Sequence, residues 1–169
     1  MEETQEIKIN KETEYTKPLI KNGVWLATYK DETTSMKWFK HCGPGKINAT
    51  RVALLAVQAF TMVKAKLPGY LCLYGTAKAT GDKLGFHECT KFIQYDMAIG
   101  SENYVTPEDN VPSIIGSNRG LRLGTSDTVS DQIGWKDPMI DAIDTTAYAI
   151  AKTCVEMKID FRCFKYFTK

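Results

Sequence analysis

The sequence lacks several features that would point to common classes of protein. It has only two histidines, and its five cysteines are scattered, with no pair at the spacing of a zinc ligand set. No apolar run approaches the ~20 residues that span a bilayer, and the N-terminus is too acidic and polar for a signal peptide. The formal net charge is only +2, with basic and acidic residues interleaved. These absences predict a cytoplasmic, reduced and metal-free protein that binds neither nucleic acid nor a membrane.

Length and patterning predict the fold class. At 169 residues the chain is expected to form one domain with a single core. Residues 1–19 are polar and are expected to be poorly ordered, so that the predicted domain covers residues 20–169. Predicted strands alternate with helices along it. This order predicts an α/β three-layer domain with a mixed, largely parallel central sheet.

Apolar runs and turn residues locate the main elements. Residues 49–64 are apolar on nearly every face, which predicts a buried helix with Asn48 as its N-cap. The continuous apolar run 70–74 predicts a central strand that is covered on both faces. Further strands are predicted at residues 24–29, 87–97, 121–127 and 159–164.

Asp144 is the most informative residue of the chain. It lies in the mostly apolar run 140–154, which predicts the start of a helix. An unpaired buried carboxylate costs too much free energy to be retained. Asp144 is therefore expected either to cap the helix or to bind a ligand, and the pattern alone favours capping. The apolar face of this predicted helix consists of Ile143, Ala147, Ile150 and Cys154.

Three further segments place small or polar residues where predicted strands end. Each alone is typical of an ordinary polar turn. Because ligands bind at the carboxyl ends of strands in open α/β sheets, we expect these segments to lie at one site. They are Gly75-Thr76-Ala77, residues 125–130 and residues 167–169.

The order of these segments resembles the purine nucleoside phosphorylase and nucleosidase superfamily, and most closely its methylthioadenosine/S-adenosylhomocysteine nucleosidase branch. Residues 42–49 resemble the family's Gly-x-Gly-Lys loop, which opens a long helix. Gly75-Thr76-Ala77 is similar to its Gly-Ser-Ala-Gly signature, and Thr125-Ser126-Asp127 to its Ser-Gly-Asp. Residues 142–147 resemble its Glu-Met-Glu-Ala-x-Ala. The similarity spans residues 20–169 and implies a phosphorylase/hydrolase-like fold.

The resemblance implies cleavage of the N-glycosidic bond of a nucleoside, a purine nucleoside in most of the family, without a cofactor. It implies that Asp144 binds the ribose hydroxyls and stabilises positive charge on the ribose as the base departs. Ile143 would pack against the sugar, and Thr76 would offer a hydroxyl near the sugar or the attacking water. Val129 and Ser130 match the pair that contacts the base, although Val129 cannot stack on it. Gly75 and Ala77 would complete the substrate site.

The sequence departs from the family near both ends. No apolar strand lies within residues 1–19, so we expect no counterpart of the family's N-terminal strand and acidic loop, which supply the general base. The last predicted strand leads into Thr168 and Lys169, where the family has Ser-Asp and this Asp protonates the purine. Asp127, or Asp131 just beyond it, is the candidate substitute for that acid.

Several functions therefore stay open. Leu73 stands where the phosphorylases have a phosphate-binding Arg, and residues 43–46 lack the Walker spacing, so water is the expected acceptor and a nucleosidase the expected activity. The alternatives are a non-catalytic nucleoside-binding protein of the same fold, a phosphate-dependent phosphorylase, and a structural domain in which Asp144 only caps its helix. Relatives are dimers or hexamers, which implies a homo-oligomer.

Overall fold

The computed structural model describes residues 22–33, 39–98, 114–128 and 139–169; the predicted polar segment 1–19 lies outside them. The strands are β1 (Gly23–Ala27), β2 (Lys40–His41), β3 (Tyr70–Ala79), β4 (Gly85–Gln94), β5 (Ile114–Gly116), β6 (Leu121–Thr125), β7 (Ala142–Asp144) and β8 (Asp160–Thr168). The helices are a 3₁₀ helix (Lys30–Thr33), α1 (Lys46–Lys64), the short α2 (Tyr95–Ala98) and α3 (Ala147–Met157). Among these helices none has the length and apolar character to cross a membrane.

The strands form one mixed sheet with the order β2-β1-β3-β7-β6-β4-β5. The pairs β1–β2, β1–β3, β3–β8, β4–β6 and β6–β7 are parallel, whereas β3–β7, β4–β5 and β4–β8 are antiparallel. Because β8 pairs with both β3 and β4, the strands β3, β7, β6, β4 and β8 close into a ring. The predicted α/β fold with a mixed, largely parallel sheet is confirmed.

Strand β3 lies at the centre of this arrangement, as the apolar run 70–74 predicts. It pairs along its length with β8 and over its first half with β1, so its backbone groups are satisfied on both sides. One face packs against α1 and α3 in the largest core cluster, and the other packs against an aromatic cluster. The strand continues past the predicted end to Ala79 and carries its polar residues there.

Helix α1 begins earlier than predicted. Its first residue is Lys46 and its N-cap is Gly45, so the prediction that Asn48 is the cap is wrong. The amide of Asn48 donates instead to the carbonyl oxygen of Pro44, at 2.8 Å. Gly45 takes the N-cap because its φ of +95° belongs to the left-handed region, which glycine adopts at little cost.

The prediction that α1 is buried all round is also wrong. Its core-facing residues are small and lie at a spacing of four (Ala49, Ala53 and Val57). The large apolar side chains on its other face are exposed (Ile47, Leu54, Leu55, Met62 and Val63). A helix that is apolar all round carries no signal for which face meets the core, and here the small residues allow α1 to approach the sheet closely.

The run 140–154 is a strand followed by a helix instead of one helix. Ala142–Asp144 pairs with β3 and β6 as strand β7, and α3 begins only at Ala147. Asp141 fixes the start of this strand, because its carboxylate accepts hydrogen bonds from the backbone and side chain of Arg122. Burial alone would raise the pKa of Asp141, but the bonds from Arg122 and Lys83 lower it well below its usual range. Ile143 and Asp144 therefore belong to the sheet.

Candidate functional site

A cavity of about 240 Å³ opens beside the ends of strands β1, β7 and β8. These strands flank β3, so the pairing of the sheet brings distant parts of the chain to one place. Four of the predicted site residues meet here: Thr76, Ala77, Ile143 and Asp144. The complete lining consists of Thr28, Tyr29, Thr76, Ala77, Lys78, Ile143, Asp144, Thr145 and Thr168.

Asp144 is buried at this cavity and hydrogen-bonded on both oxygens. Oδ1 accepts the hydroxyl of Thr125 at 2.7 Å, and Oδ2 accepts the hydroxyl of Thr146 at 3.1 Å. Both oxygens also lie within hydrogen-bond distance of the backbone N–H of Ala147, the first residue of α3, at 3.2 and 3.0 Å. Asp144 thus stabilises the positive end of α3, and it also lines the cavity. The two roles that the sequence leaves open for it, capping a helix and binding a ligand, are therefore compatible.

Lys165 is the counter-ion of Asp144. Its Nζ lies 3.0 Å from Asp144 Oδ2, and its side chain is completely buried. Burial alone would lower the pKa of Lys165, but Asp144, assisted by Cys163 and Glu32, raises it above its ordinary value. Lys165 therefore stays a cation, and the buried carboxylate is not left unpaired.

The motifs of the sequence do not identify Lys165, although the alternating pattern of β8 indicates that it is buried. Side chains alternate between the two faces of a strand, and in β8 the residues Cys163, Lys165 and Phe167 share a face. All three are buried. A lysine in phase with two apolar residues of a strand predicts a buried cation, and a buried cation needs an acidic partner.

Glu32 supplies a second carboxylate at the edge of the cavity. Oε1 accepts both the backbone N–H and the hydroxyl of Thr76, each at 3.0 Å. Oε2 accepts the backbone N–H groups of Thr28 and Tyr29, at 3.1 and 2.8 Å. Glu32 lies in the 3₁₀ helix that follows β1, and thus outside residues 1–19, where the sequence predicts no counterpart of the family's acidic loop.

Two threonine hydroxyls connect the carboxylates. The hydroxyl oxygens of Thr28 and Thr146 lie 3.0 Å apart. Thr146 gives its proton to Asp144, so Thr28 must be the donor in the bond between the two hydroxyls. The backbone N–H of Thr28 in turn donates to Glu32. A continuous network therefore fixes Glu32 and Asp144 relative to each other, within the field of Lys165.

Gly75 lies against the carboxylate of Glu32, which four hydrogen bonds hold in place. A Cβ on Gly75 would lie 2.8 Å from both oxygens of the Glu32 carboxylate, which is closer than such contacts allow. The Gly75-Thr76-Ala77 segment thus provides the room for this carboxylate through its glycine and hydrogen bonds to it through its threonine.

The other predicted acid groups lie elsewhere. Asp127 is not among the residues that line the cavity; its Oδ1 accepts the backbone N–H of Lys46 at 2.8 Å, and its side chain is half exposed. Thr168 lines the cavity, whereas Lys169 is exposed and does not. The predicted base-contacting pair, Val129 and Ser130, falls outside the described residues, as does residue 131.

The site shows little provision for phosphate or a metal. Leu73 is completely buried in the apolar core, so it brings no cation to the position where a phosphorylase would need one. Within the described part of the chain, no three residues of the types His, Cys, Asp and Glu are grouped so that they could hold a metal ion.

All five cysteines are unpaired and buried, and burial raises the pKa of the Cys42 thiol to about 11.

Comparison with known proteins identifies the fold. No family model matches the sequence, and no curated protein matches it significantly. Solved structures do match the arrangement of helices and strands. A 5′-methylthioadenosine/S-adenosylhomocysteine nucleosidase from Neisseria meningitidis, in complex with methylthio-immucillin-A, superposes with a TM-score of 0.66 at 15% identity over 87% of this chain and 85% of that one.

Two further solved structures superpose on this chain with similar TM-scores. The nucleosidase of the same name from Campylobacter jejuni gives a TM-score of 0.62 at 16% identity, over 88% of this chain and 85% of that one. A futalosine hydrolase mutant from Helicobacter pylori gives 0.64 at 10% identity, over 86% and 88%. The chain therefore has the fold of the nucleosidases, and the resemblance predicted from its motifs is confirmed for the fold.

The role of Gly75 can be tested by replacing it with alanine. Gly75→Ala should lower the free energy of unfolding by about 1–3 kcal/mol, the usual cost of inserting a methyl group into a filled site. Gly85→Ala is the matched control, because Gly85 also has a positive φ, of +91°, while nothing lies within 4 Å of its added Cβ. The control tests the backbone strain alone and should be the more stable of the two variants. Urea unfolding measures both, and equal stabilities of the two variants would contradict the packing of Glu32 against Gly75.

Proposed function

We propose that the protein is a nucleosidase, which hydrolyses the N-glycosidic bond of a nucleoside to a free base and a sugar. The observation that carries this proposal is a pair of connected carboxylates, of which Asp144 lines the cavity and Glu32 bonds to residues of its lining. Asp144 is paired with the buried Lys165, and Glu32 is held by backbone N–H groups and Thr76. The fold shared with nucleosidases supports the same activity.

Asp144 is the residue that binds the ribose. A carboxylate can accept two hydroxyl protons at once, and in the free protein Asp144 accepts those of Thr125 and Thr146. A carboxylate has about four acceptor sites, so ribose hydroxyls can bond to Asp144 beside or in exchange for the hydroxyl protons of the threonines. As the bond to the base breaks, positive charge develops on the sugar, and Asp144 stabilises it. Ile143, which also lines the cavity, packs against the sugar.

Glu32 is the general base for water. It is only half-buried, and its carboxylate is oriented by four hydrogen bonds, so it can take the proton of a water molecule near the cavity. Thr76 bonds to the same carboxylate oxygen by its hydroxyl and lines the cavity, which suits it to position that water. Water is the acceptor in this proposal because the buried Leu73 offers nothing to phosphate.

A non-catalytic nucleoside-binding protein is the second candidate. One observation favours it: neither Thr168 nor the exposed Lys169 supplies a carboxylic acid to protonate a departing base. The two functions differ in the effect of adding a nucleoside to the protein. A binding protein would show a nucleoside-dependent rise in Tm with no release of base.

Turnover can be measured directly. In phosphate-free buffer, wild-type protein should release free base from one or more of inosine, adenosine, uridine and methylthioadenosine, detected by chromatography. Glu32→Gln should lower kcat by about 100-fold to 10,000-fold, because it removes the general base. Glu156→Gln changes an exposed glutamate of α3 in the same way and should leave kcat unchanged. A requirement for phosphate, or full activity of Glu32→Gln, would contradict the hydrolytic mechanism.

The proposal also includes the cellular location of the protein and the base of its nucleoside. The unpaired, buried thiols support a cytoplasmic location, because reduced cysteines persist in that compartment. A purine is the proposed base, supported by the adenine bound in a similar nucleosidase structure from Colwellia psychrerythraea. The partner is thus a nucleoside, with no cofactor.

A homo-oligomer is proposed on the basis of the exposed face of α1. This face carries five large apolar side chains, and Ile47, Met62 and Val63 are each about four-fifths exposed. The helix contains no acidic residue. Several large exposed apolar side chains on one helix are typical of an interface between subunits.

Sedimentation velocity can test this interface. The wild type should sediment as a dimer or hexamer, and Met62→Asp should shift it toward the monomer because a charge is costly in an apolar interface. Val155→Asp is the matched control, since Val155 is 60% exposed on α3 and outside the α1 face. A monomeric wild type, or equal effects of both variants, would contradict the proposal.

A further inference from the structure

The carboxylate of Asp144 is already surrounded by donors in the free protein. A carboxylate offers about four acceptor sites. The donors around this one are the hydroxyls of Thr125 and Thr146, the backbone N–H of Ala147 and the ammonium of Lys165. These contacts favour exchange, in which a ribose hydroxyl that bonds to Asp144 takes the place of one of these donors.

The four donors differ in whether they can leave. The N–H of Ala147 belongs to the backbone of α3, and departure of Lys165 would leave two buried charges unpaired. The two threonine hydroxyls can rotate about their C–O bonds. A displaced hydroxyl proton needs a new acceptor, because a buried donor without a partner is costly. The exchange is therefore expected at a hydroxyl that has a second acceptor within reach.

Thr146 has such an acceptor. Its hydroxyl oxygen lies 3.0 Å from that of Thr28, so its proton can turn from Asp144 to Thr28. Within the described part of the chain, the hydroxyl of Thr125 has no acceptor other than Asp144 at hydrogen-bond distance, because its other partner, the backbone N–H of Tyr148, is a donor. Both threonines that bond to Asp144 are completely buried. The contacts thus assign the exchange to Thr146.

Thr28 is placed to complete this exchange. It is buried and lines the cavity, whereas Thr146 is not part of the lining. When Thr28 accepts the proton of Thr146, its own proton turns toward the cavity, where an oxygen of the bound sugar or of a water molecule accepts it. Two hydroxyl rotations therefore rearrange the hydrogen bonds, and no proton passes from one residue to another.

We propose that Thr28 is a positioning residue for ribose recognition: its hydroxyl accepts the proton that Thr146 withdraws from Asp144 when the 2′-hydroxyl of a ribose binds there. The inference rests on the nucleosidase function proposed above. A 2′-deoxynucleoside leaves Thr146 bonded to Asp144 and gains nothing from Thr28. Thr28 thereby contributes to a preference for ribonucleosides over 2′-deoxyribonucleosides.

Isothermal titration with inosine and 2′-deoxyinosine tests this role in the Glu32→Gln background, in which hydrolysis is suppressed. Thr28→Val keeps the shape of the side chain and the backbone N–H that bonds to residue 32, but it removes the hydroxyl. The Kd for inosine should rise about fivefold to 100-fold, because the proton of Thr146 is left without an acceptor in the complex. The Kd for 2′-deoxyinosine should change by less than about twofold, since Thr146 keeps its acceptor. Thr28→Ser restores the hydroxyl and should bind inosine within about threefold of the background.

Thr153→Val is the matched control. Thr153 is also buried, and its hydroxyl donates to the carbonyl oxygen of Ala149 within α3, outside the lining of the cavity. This variant should leave both Kd values unchanged. Thermal unfolding should show that Thr28→Val folds as well as the control, because in the free protein Thr146 keeps Asp144 as its acceptor.

The outcomes separate the role of Thr28 from the nucleosidase function. An unchanged Kd for inosine in Thr28→Val, or an equal rise for inosine and 2′-deoxyinosine, would overturn the role of Thr28. Release of free base by the wild type would in that case leave the nucleosidase function standing. Binding of neither nucleoside, together with no release of base by the wild type, would overturn both proposals.

Discussion

The buried ion pair between Asp144 and Lys165 is the interaction on which the rest of the site depends. Two charges are taken out of water, and neither is tolerated without the other. Removal of one partner from such a pair costs about 3–5 kcal/mol, which is a large part of the stability of an ordinary domain. The pair also joins elements that are not neighbours in the sheet order, since Asp144 ends β7 and Lys165 lies in β8.

Several other features follow from this pair. Asp144 receives hydrogen bonds from Thr125 of β6 and Thr146 before α3, so the carboxylate fixes the junction of strand, turn and helix. Through Thr146 and Thr28 the same network reaches Glu32. One carboxylate is held in place by a buried cation, and the other is half-buried beside the cavity. The two surroundings suit two roles, stabilisation of a cationic sugar and acceptance of a proton from water.

The fold class and part of the site follow from the sequence. Asp144 is identifiable because a carboxylate in an apolar run must have a partner, and the strands β3 and β6 are identifiable from their apolar runs. The strand β7 is not, because three residues are too short to distinguish a period of two from one of 3.6. The pattern of β8 indicates that Lys165 is buried, but not that its partner is Asp144, which lies 21 positions away. Glu32 likewise acquires its role from a contact with Thr76, 44 positions away, which local patterns do not encode.

The central claim is that Asp144 binds the hydroxyls of a ribose. Isothermal titration of the Glu32→Gln variant, in which hydrolysis is suppressed, with inosine and 2′-deoxyinosine tests it most directly. A hydrogen bond to a charged group contributes about 1.5–3 kcal/mol, so inosine should bind at least about tenfold more tightly than its 2′-deoxy counterpart. Equal Kd values for the two nucleosides would contradict the assignment of Asp144 to the ribose.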